Sequence, residues 1–232
     1  RSLVVPVTLS DTLTFVESDK ISSDIGYDDD LCVKAANVLK SHAPESKSLK
    51  GVAISVEKRI PTGGGLGGGS ADAAATLVAL NEMWGLNFKP ERLAEIGSQV
   101  GSDVPALVLS RFVGPVIMEG RGEFVSSAGG GFPKLNLVLV NPGVFSSTPK
   151  VFKKCNSRVT DDPKILYNIV SSFKTCDLSS LASSFMNDLE EPAMELNPAI
   201  RGAKKALLDC GVIGALMSGS GSTVFGLVSS ED

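Results

Sequence analysis

Six of the seven residues from position 63 to 69 are glycine, in the order Gly63-Gly64-Gly65-Leu66-Gly67-Gly68-Gly69, and Ser70 follows them. Ordering a glycine costs more backbone entropy than ordering any other residue, so a run this dense implies a ligand. A hinge or a tight strand-to-helix turn needs only one or two of these glycines. A bare backbone can approach a ligand closely, and a helix opening at the end of the run adds unpaired N–H groups and a positive dipole end. That combination suits phosphate oxygens. Ser70 suits two tasks, touching phosphate or magnesium, or capping the helix with its hydroxyl.

The kind of phosphate ligand can be narrowed. A Walker A loop requires Gly-Lys-Ser/Thr, and no lysine follows these glycines. Gly63-x-Gly65-x-x-Gly68 satisfies the dinucleotide pattern, which then needs a second strand ending in an acidic residue about twenty positions on. Trp84-Gly85-Leu86-Asn87-Phe88-Lys89-Pro90 leads instead into another helix, so the NAD reading is weak. The single histidine, His42, lies in a polar stretch, which argues against a histidine base or a His-rich metal cage. Carboxylates, hydroxyls, lysines and backbone groups remain for the chemistry. Asp103, in Gly101-Ser102-Asp103-Val104-Pro105, has the type of a proton acceptor and equally that of a helix cap.

The elements that must position these residues alternate along the chain. Apolar runs predict strands at 3–9, 12–16, 52–56, 107–109, 114–119, 135–140, 213–217 and 223–228, the one at 135–140 reading as buried. Helical spacing and capping residues predict helices at 30–40, 71–84, 90–100, 163–173, 178–187 and 198–210. The helix after the glycines is Ala-rich, with Ala74, Leu77, Val78 and Asn81 on one face. Ala128-Gly129-Gly130-Gly131-Phe132-Pro133 is the best linker candidate, so the expected fold class is α+β with a boundary near residue 132.

Composition is that of a globular chain: 43% hydrophobic and 21% charged residues over 232 positions. The net charge of −4, with scattered basic residues, speaks against a nucleic-acid groove or a polybasic membrane patch. No apolar run is long enough to span a bilayer, and the N-terminus lacks signal-peptide order. Cys32, Cys155, Cys176 and Cys210 are far apart in sequence and read as reduced thiols.

Pro61-Thr62-Gly63-Gly64-Gly65-Leu66-Gly67-Gly68-Gly69-Ser70-Ala71-Asp72-Ala73-Ala74 resembles the second motif of the GHMP kinases. The triple-glycine form is similar to the diphosphocytidyl-methylerythritol kinase branch. Gly101-Ser102-Asp103-Val104-Pro105, Glu119-Gly120-Arg121-Gly122-Glu123, Asn187-Asp188-Leu189-Glu190 and Ser218-Gly219-Ser220-Gly221-Ser222 resemble further family segments, in the family's order. So does 142–152, from Pro142-Gly143 through Thr148-Pro149 to Phe152. A plain hairpin turn would also explain 218–222, and a lone Phe such as Phe152 is more often a core or surface aromatic. Ala71 departs from the pattern, since many members carry a second serine there.

The resemblance implies the two-lobed GHMP fold, with a ribosomal protein S5 domain 2-like lobe at 1–132 and a ferredoxin-like lobe at 133–232. It implies ATP-dependent phosphorylation of the 2-hydroxyl of a cytidyl-diphosphate-linked methylerythritol, an isoprenoid-precursor step. Residues 61–71 would hold the ATP phosphates, Asp103 would be the catalytic base, and Thr148 and Phe152 would line the cytidyl site. Mg²⁺ would travel with ATP, touched by Ser70, without a dedicated protein site. Rival readings are a GHMP kinase for homoserine, mevalonate or a sugar, and a nucleotide-binding remnant without catalysis. The family's N-terminal lysine strand and Gly-Tyr-His segment align before residue 1, and a helix and strand follow its last glycine motif, so a portion of a longer enzyme is expected. A monomer or weak homodimer in bacterial cytoplasm or plastid stroma completes the expectation.

Overall fold

A computed structural model of the chain describes residues 1–26, 29–155 and 162–229. Packing divides the chain into two units, one of residues 1–60 with 68–130 and one of residues 61–67 with 131–232.

The first unit contains, in chain order, β1 (Ser2–Val4), β2 (Thr12–Ser18), β3 (Ser22–Ser23), α1 (Leu31–Ser41) and β4 (Gly51–Glu57). It continues with α2 (Gly68–Met83), α3 (Pro90–Gly97), α4 (Val104–Val113), β5 (Val116–Glu119) and β6 (Phe124–Ser127). One sheet has the order β2-β4-β3, with β2 antiparallel and β3 parallel to β4. The other, β1-β5-β6, is antiparallel throughout. Alternation in β2 sends Leu13 and Phe15 toward the core and leaves Thr12, Thr14 and Val16 exposed.

Helices α1 and α2 pack on one another through small residues. Ala35 and Ala36 on α1 and Ala73 and Ala74 on α2 are buried, which lets the backbones approach, while Leu39, Leu77 and Leu80 fill the core. The Asp30 carboxylate caps α1, accepting from the amides of Cys32 at 2.8 Å and Val33 at 3.2 Å. Asn81, on the apolar face of α2, spends its polar atoms on the turn that follows. Its Oδ1 accepts from Phe88 N at 2.9 Å and its Nδ2 donates to Phe88 O at 3.1 Å.

Three expectations are corrected in this unit. Residues 107–109 lie inside α4, not in a strand. A short apolar run reads equally as strand or buried helix, and here Pro105 in the first turn and Val104 and Val108 one turn apart in the core settle it as helix. Strand β1 covers only Ser2–Val4 of the expected 3–9, since Pro6 has no N–H to offer a ladder. Helix α2 opens at Gly68, earlier than apolar periodicity shows, because glycines carry no pattern. The 119–123 segment closes a hairpin between β5 and β6, with Glu119 opposite Phe124.

The second unit contains β7 (Asn136–Val140), α5 (Thr148–Lys154), α6 (Pro163–Lys174), α7 (Leu178–Ser183) and α8 (Glu190–Leu196). It ends with α9 (Pro198–Asp209), β8 (Gly214–Met217) and β9 (Val224–Val228). Strand β9 lies between β7 and β8, antiparallel to both. Val151, Ala193, Met194, Ile200, Ala203 and Leu207 bury against Met217 and Val224. Helices α5 and α8 were not expected, and α7 ends before the expected residue 187, because elements this short hold too few turns for periodicity to register. Strand β7 is an edge strand, and Leu137 and Val138 are exposed rather than buried.

Leu77 is fully buried on α2. Leu77→Ala should therefore cost about 2–5 kcal/mol of unfolding free energy. Leu208→Ala, at a half-exposed position on α9, should change it by less than about 0.5 kcal/mol. Urea denaturation of both variants beside the parent checks the contrast.

Candidate active site

The glycine segment 61–67 is anchored by its carbonyl oxygens in the second unit. Gly64 O accepts from Thr223 N at 2.9 Å, Gly65 O from Ser218 Oγ at 2.9 Å, and Gly63 O from Ser146 N at 3.4 Å. Gly65 has φ +74°, and a Cβ there would run into the Ser218 carbonyl and come within 2.7 Å of Gly221 O. Only glycine fits. The amides of residues 66–69 give to no acceptor among the described residues. Carbonyls occupied and amides open is the polarity an anion requires.

The turn at 218–222 is itself held by short polar side chains. Ser146 Oγ donates to Ser220 O at 2.6 Å, and Thr148 Oγ1 and Ser220 Oγ share a hydrogen bond of 2.7 Å. Asn141 Nδ2 donates to Thr223 Oγ1 at 2.9 Å, and Asn187 Nδ2 reaches both Met217 O and Gly219 O at 2.8 Å. The structure thus brings Thr148 to the glycine turn, with its hydroxyl engaged there. One turn along α5, Val151 faces the core while Phe152 is 58% exposed, so Phe152 is not a core aromatic. Phe145, also exposed, lies against Gly63.

In the first unit, Gly68, Gly69, Ser70 and Ala71 form the opening turn of α2. Ser70 is the third residue of the helix, past the position of an N-cap, which removes its capping role. Asp103 immediately precedes α4, is exposed, and makes no cap hydrogen bond with its side chain. The Ser102 hydroxyl stands 3.4 Å from its Oδ1. Helix α4 packs on α2 and α3, and the hairpin between β5 and β6 supports its entry. Gly122 there has φ +112°, and a Cβ would strike the Ser102 carbonyl. The 119–123 motif is therefore fitted directly against the aspartate's turn.

A charged cluster went unrecognised in the sequence. Lys58 Nζ, just past β4, contacts Asp11 Oδ2 at 2.5 Å and Asp72 Oδ2 at 2.7 Å. The two carboxylates are nearly closed to solvent, at 2% and 4% side-chain exposure. Asp11 Oδ1 also accepts from the amides of Arg59 at 2.6 Å and Ile60 at 2.8 Å. Burial pushes Asp72 up to about 6, against the pull of Lys58, and the second carboxylate on the same ammonium adds to the rise. Burial pushes Asp11 up as well, but the two amides and Lys58 outweigh it and hold that carboxyl below the usual range. Burial alone would lower Lys58, yet its two carboxylates raise it. The P-loop pattern places its lysine after the glycines, whereas Lys58 precedes them. Charged residues on an otherwise apolar helix, such as Asp72, were the available signal.

This arrangement, a glycine segment with open amides leading into a helix and a glycine turn against it, places the chain in a class of phosphate-handling enzymes. The profile of the GHMP kinases N terminal domain matches residues 30–111, and that of the GHMP kinases C terminal matches residues 171–232. The chain belongs to the GHMP kinases. Its similarity within them is to 4-diphosphocytidyl-2-C-methyl-D-erythritol kinases. The enzyme of that name from Exiguobacterium sibiricum is 41% identical over 202 residues, 87% of this chain and 68% of the relative. The one from Thermodesulfovibrio yellowstonii is 37% identical, covering 99% of this chain and 81% of the relative. A crystal structure of 4-(cytidine 5'-diphospho)-2C-methyl-D-erythritol kinase superposes with a TM-score of 0.79 at 30% identity, over 97% of this chain and 79% of that one.

The buried carboxyl has a consequence for stability. Its folded-state pKa of about 6 lies above the ordinary 3.8. Asp72 thus favours the folded chain most at acid pH and loses that contribution as pH rises from about 4 through about 6. Asp72→Asn cannot ionise, so it should gain on the parent across that window. Denaturant titrations at about pH 4.5 and about pH 7.5 measure the gap in unfolding free energy. It should shift toward the variant at the higher pH, and a constant gap would mean that Asp72 does not titrate there.

Proposed function

We propose that the chain is an ATP-dependent kinase that phosphorylates the 2-hydroxyl of 4-diphosphocytidyl-2-C-methyl-D-erythritol, a step toward isoprenoid precursors. The observation that carries this reading is the Asp103 carboxylate. It stands exposed at the start of α4, unused as a cap, on a helix packed against the one that opens with the phosphate-type glycines. The named relatives supply the substrate.

In this reading Pro61, Thr62, Gly63, Gly64, Gly65, Leu66, Gly67, Gly68, Gly69, Ser70 and Ala71 hold the ATP phosphates, with residues 1–132 as the ATP-binding domain and 133–232 as the C-terminal domain. The open amides and the positive end of α2 balance the phosphate charge. The substrate hydroxyl oxygen bonds to the γ-phosphorus as the bond to the β–γ bridging oxygen breaks. Its proton passes to Asp103, and ADP leaves. Magnesium bound to the nucleotide neutralises charge on the phosphates. Asp11 and Asp72 are committed to Lys58, which leaves the Ser70 hydroxyl as the side-chain oxygen of the opening turn able to touch it. Phe152 offers an exposed ring for the cytosine, and Thr148 stands one turn before it.

Asp103→Asn keeps shape but cannot accept a full proton. Phosphoryl transfer should fall by roughly 10²–10⁴-fold with ATP affinity almost unchanged. Single-turnover transfer from labelled ATP measures this, and parent-like turnover would remove Asp103 from the mechanism. Phe152→Ala should weaken CDP binding by about 1–3 kcal/mol, the range for base–aromatic stacking. In titration calorimetry, equal affinity of the parent for CDP and inorganic pyrophosphate would count against a cytidyl site.

A further inference from the structure

Both feet of the glycine loop rest on one cluster of charged groups. The chain enters the loop at Ile60 and leaves it at Gly68. A Cβ on Gly68 would lie 2.9 Å from Ile60 Cγ2 and 3.4 Å from Lys58 Nζ, so the two feet and the ammonium are in contact distance of one another. Asp11 fixes the entering foot through the amides of Arg59 and Ile60. Asp72, one turn into α2, fixes the leaving foot, and Lys58 joins the two carboxylates with its ammonium. All of these groups lie in the first unit. Asp11 is on the connection between β1 and β2, Lys58 follows β4, and Asp72 is on α2, so the cluster ties three separate parts of the unit together.

We propose that Lys58, with Asp11 and Asp72, is a positioning residue for nucleotide binding: it clamps the chain at Arg59 and Ile60 to the first turns of α2 and so sets where the N-terminal amides of α2 point. The proposal rests on the reading that the loop binds ATP phosphates. Lys58 does not take the role of a P-loop lysine. Its ammonium already serves two carboxylates, so it acts through the backbone they hold. Burying three charged groups is costly, and they offset that cost only in a narrow geometry. A misplaced phosphate donor set loses affinity steeply, since charge-assisted hydrogen bonds depend on distance and angle. The Cys32 thiol at the start of α1 also lies within electrostatic reach of Asp72 and Lys58. Burial pushes that thiol up to about 12, so it stays neutral and leaves the cluster's charge to the clamp.

The test is titration calorimetry of Mg·AMP-PNP and, separately, CDP against the parent, Lys58→Met, Lys58→Arg and Asp72→Ala. Asp72→Ala keeps the Lys58–Asp11 pair and so guards against a Lys58→Met chain that does not fold. AMP-PNP should bind about tenfold more weakly to Lys58→Met and Asp72→Ala, as expected when a charged hydrogen-bonding network is broken. Lys58→Arg should stay within about threefold of the parent, because a guanidinium can serve both carboxylates. CDP affinity should be the same in all four. Unchanged AMP-PNP affinity in both loss variants overturns the clamp while leaving the ATP reading intact. An equal fall for CDP also overturns it, since the effect would then be general loss of structure. A parent chain that does not bind AMP-PNP overturns both.

Discussion

The geometry of the first unit turns on one ammonium group shared by two buried carboxylates. Lys58 Nζ is held by Asp11 and Asp72, which come from a strand connection and a helix far apart in sequence. Removing each ion from water costs several kcal/mol, and mutual attraction recovers this only when remaining lone pairs are also satisfied. Asp11 meets that condition through two backbone amides. Burial, with Asp11 beside it, holds Asp72 up at about 6 against the pull of the ammonium, so it is the member that takes up a proton first as pH falls. Such a cluster adds little net stability. It specifies a register instead, because an alternative placement of α2 would strand a charge.

In the second unit the carbonyls of the glycine segment are held by neutral donors, the amides of Ser146 and Thr223 and the hydroxyl of Ser218. Ser146, Thr148, Ser218, Ser220 and Thr223 bond to backbone oxygens or to one another around 63–65 and 218–223. Small polar side chains suit this task because glycine backbones pass too closely for anything larger. The effect is directional. The carbonyls of 63–65 are taken up there while the amides of 66–69 stay open, and open amides are what an anion can use. Glycine content alone does not create that polarity; the donors that Ser146, Ser218 and Thr223 offer the carbonyls do.

How much of this was legible depends on the kind of signal. Long periodic elements such as α1 and α9 showed in sequence because patterning and capping residues agree there. Residues 107–109 misled because three apolar residues carry no period, and burial on one helical face decided the matter. Helices α5 and α8 were invisible for their shortness. At the candidate site, the glycines and Asp103 stood out by type, and the structure sets them at the openings of α2 and α4. The clamp was not, because its members lie 47 and 14 positions from Lys58, and only the fold makes them neighbours. Of the two tasks open to Ser70, the cap drops out for a simpler reason: the helix starts earlier than its apolar residues do.

Asp72 and Asp103 show why residue type cannot assign a role. Each is an aspartate beside a helix N-terminus, and each sits in a motif of the family. Asp72 is enclosed, and the oxygen it turns to Lys58 is committed, so it can hold structure but cannot reach a substrate. Asp103 is exposed, makes no side-chain cap hydrogen bond to its own helix, and among the described residues its side chain meets the Ser102 hydroxyl at 3.4 Å. Its lone pairs are open to a proton arriving from outside. The two remain mechanically linked, because α4 packs on α2 and Gly122 holds the turn that carries Asp103. Whatever fixes α2 therefore steadies the floor on which the exposed carboxylate stands, and the buried aspartate bears on the exposed one through packing alone.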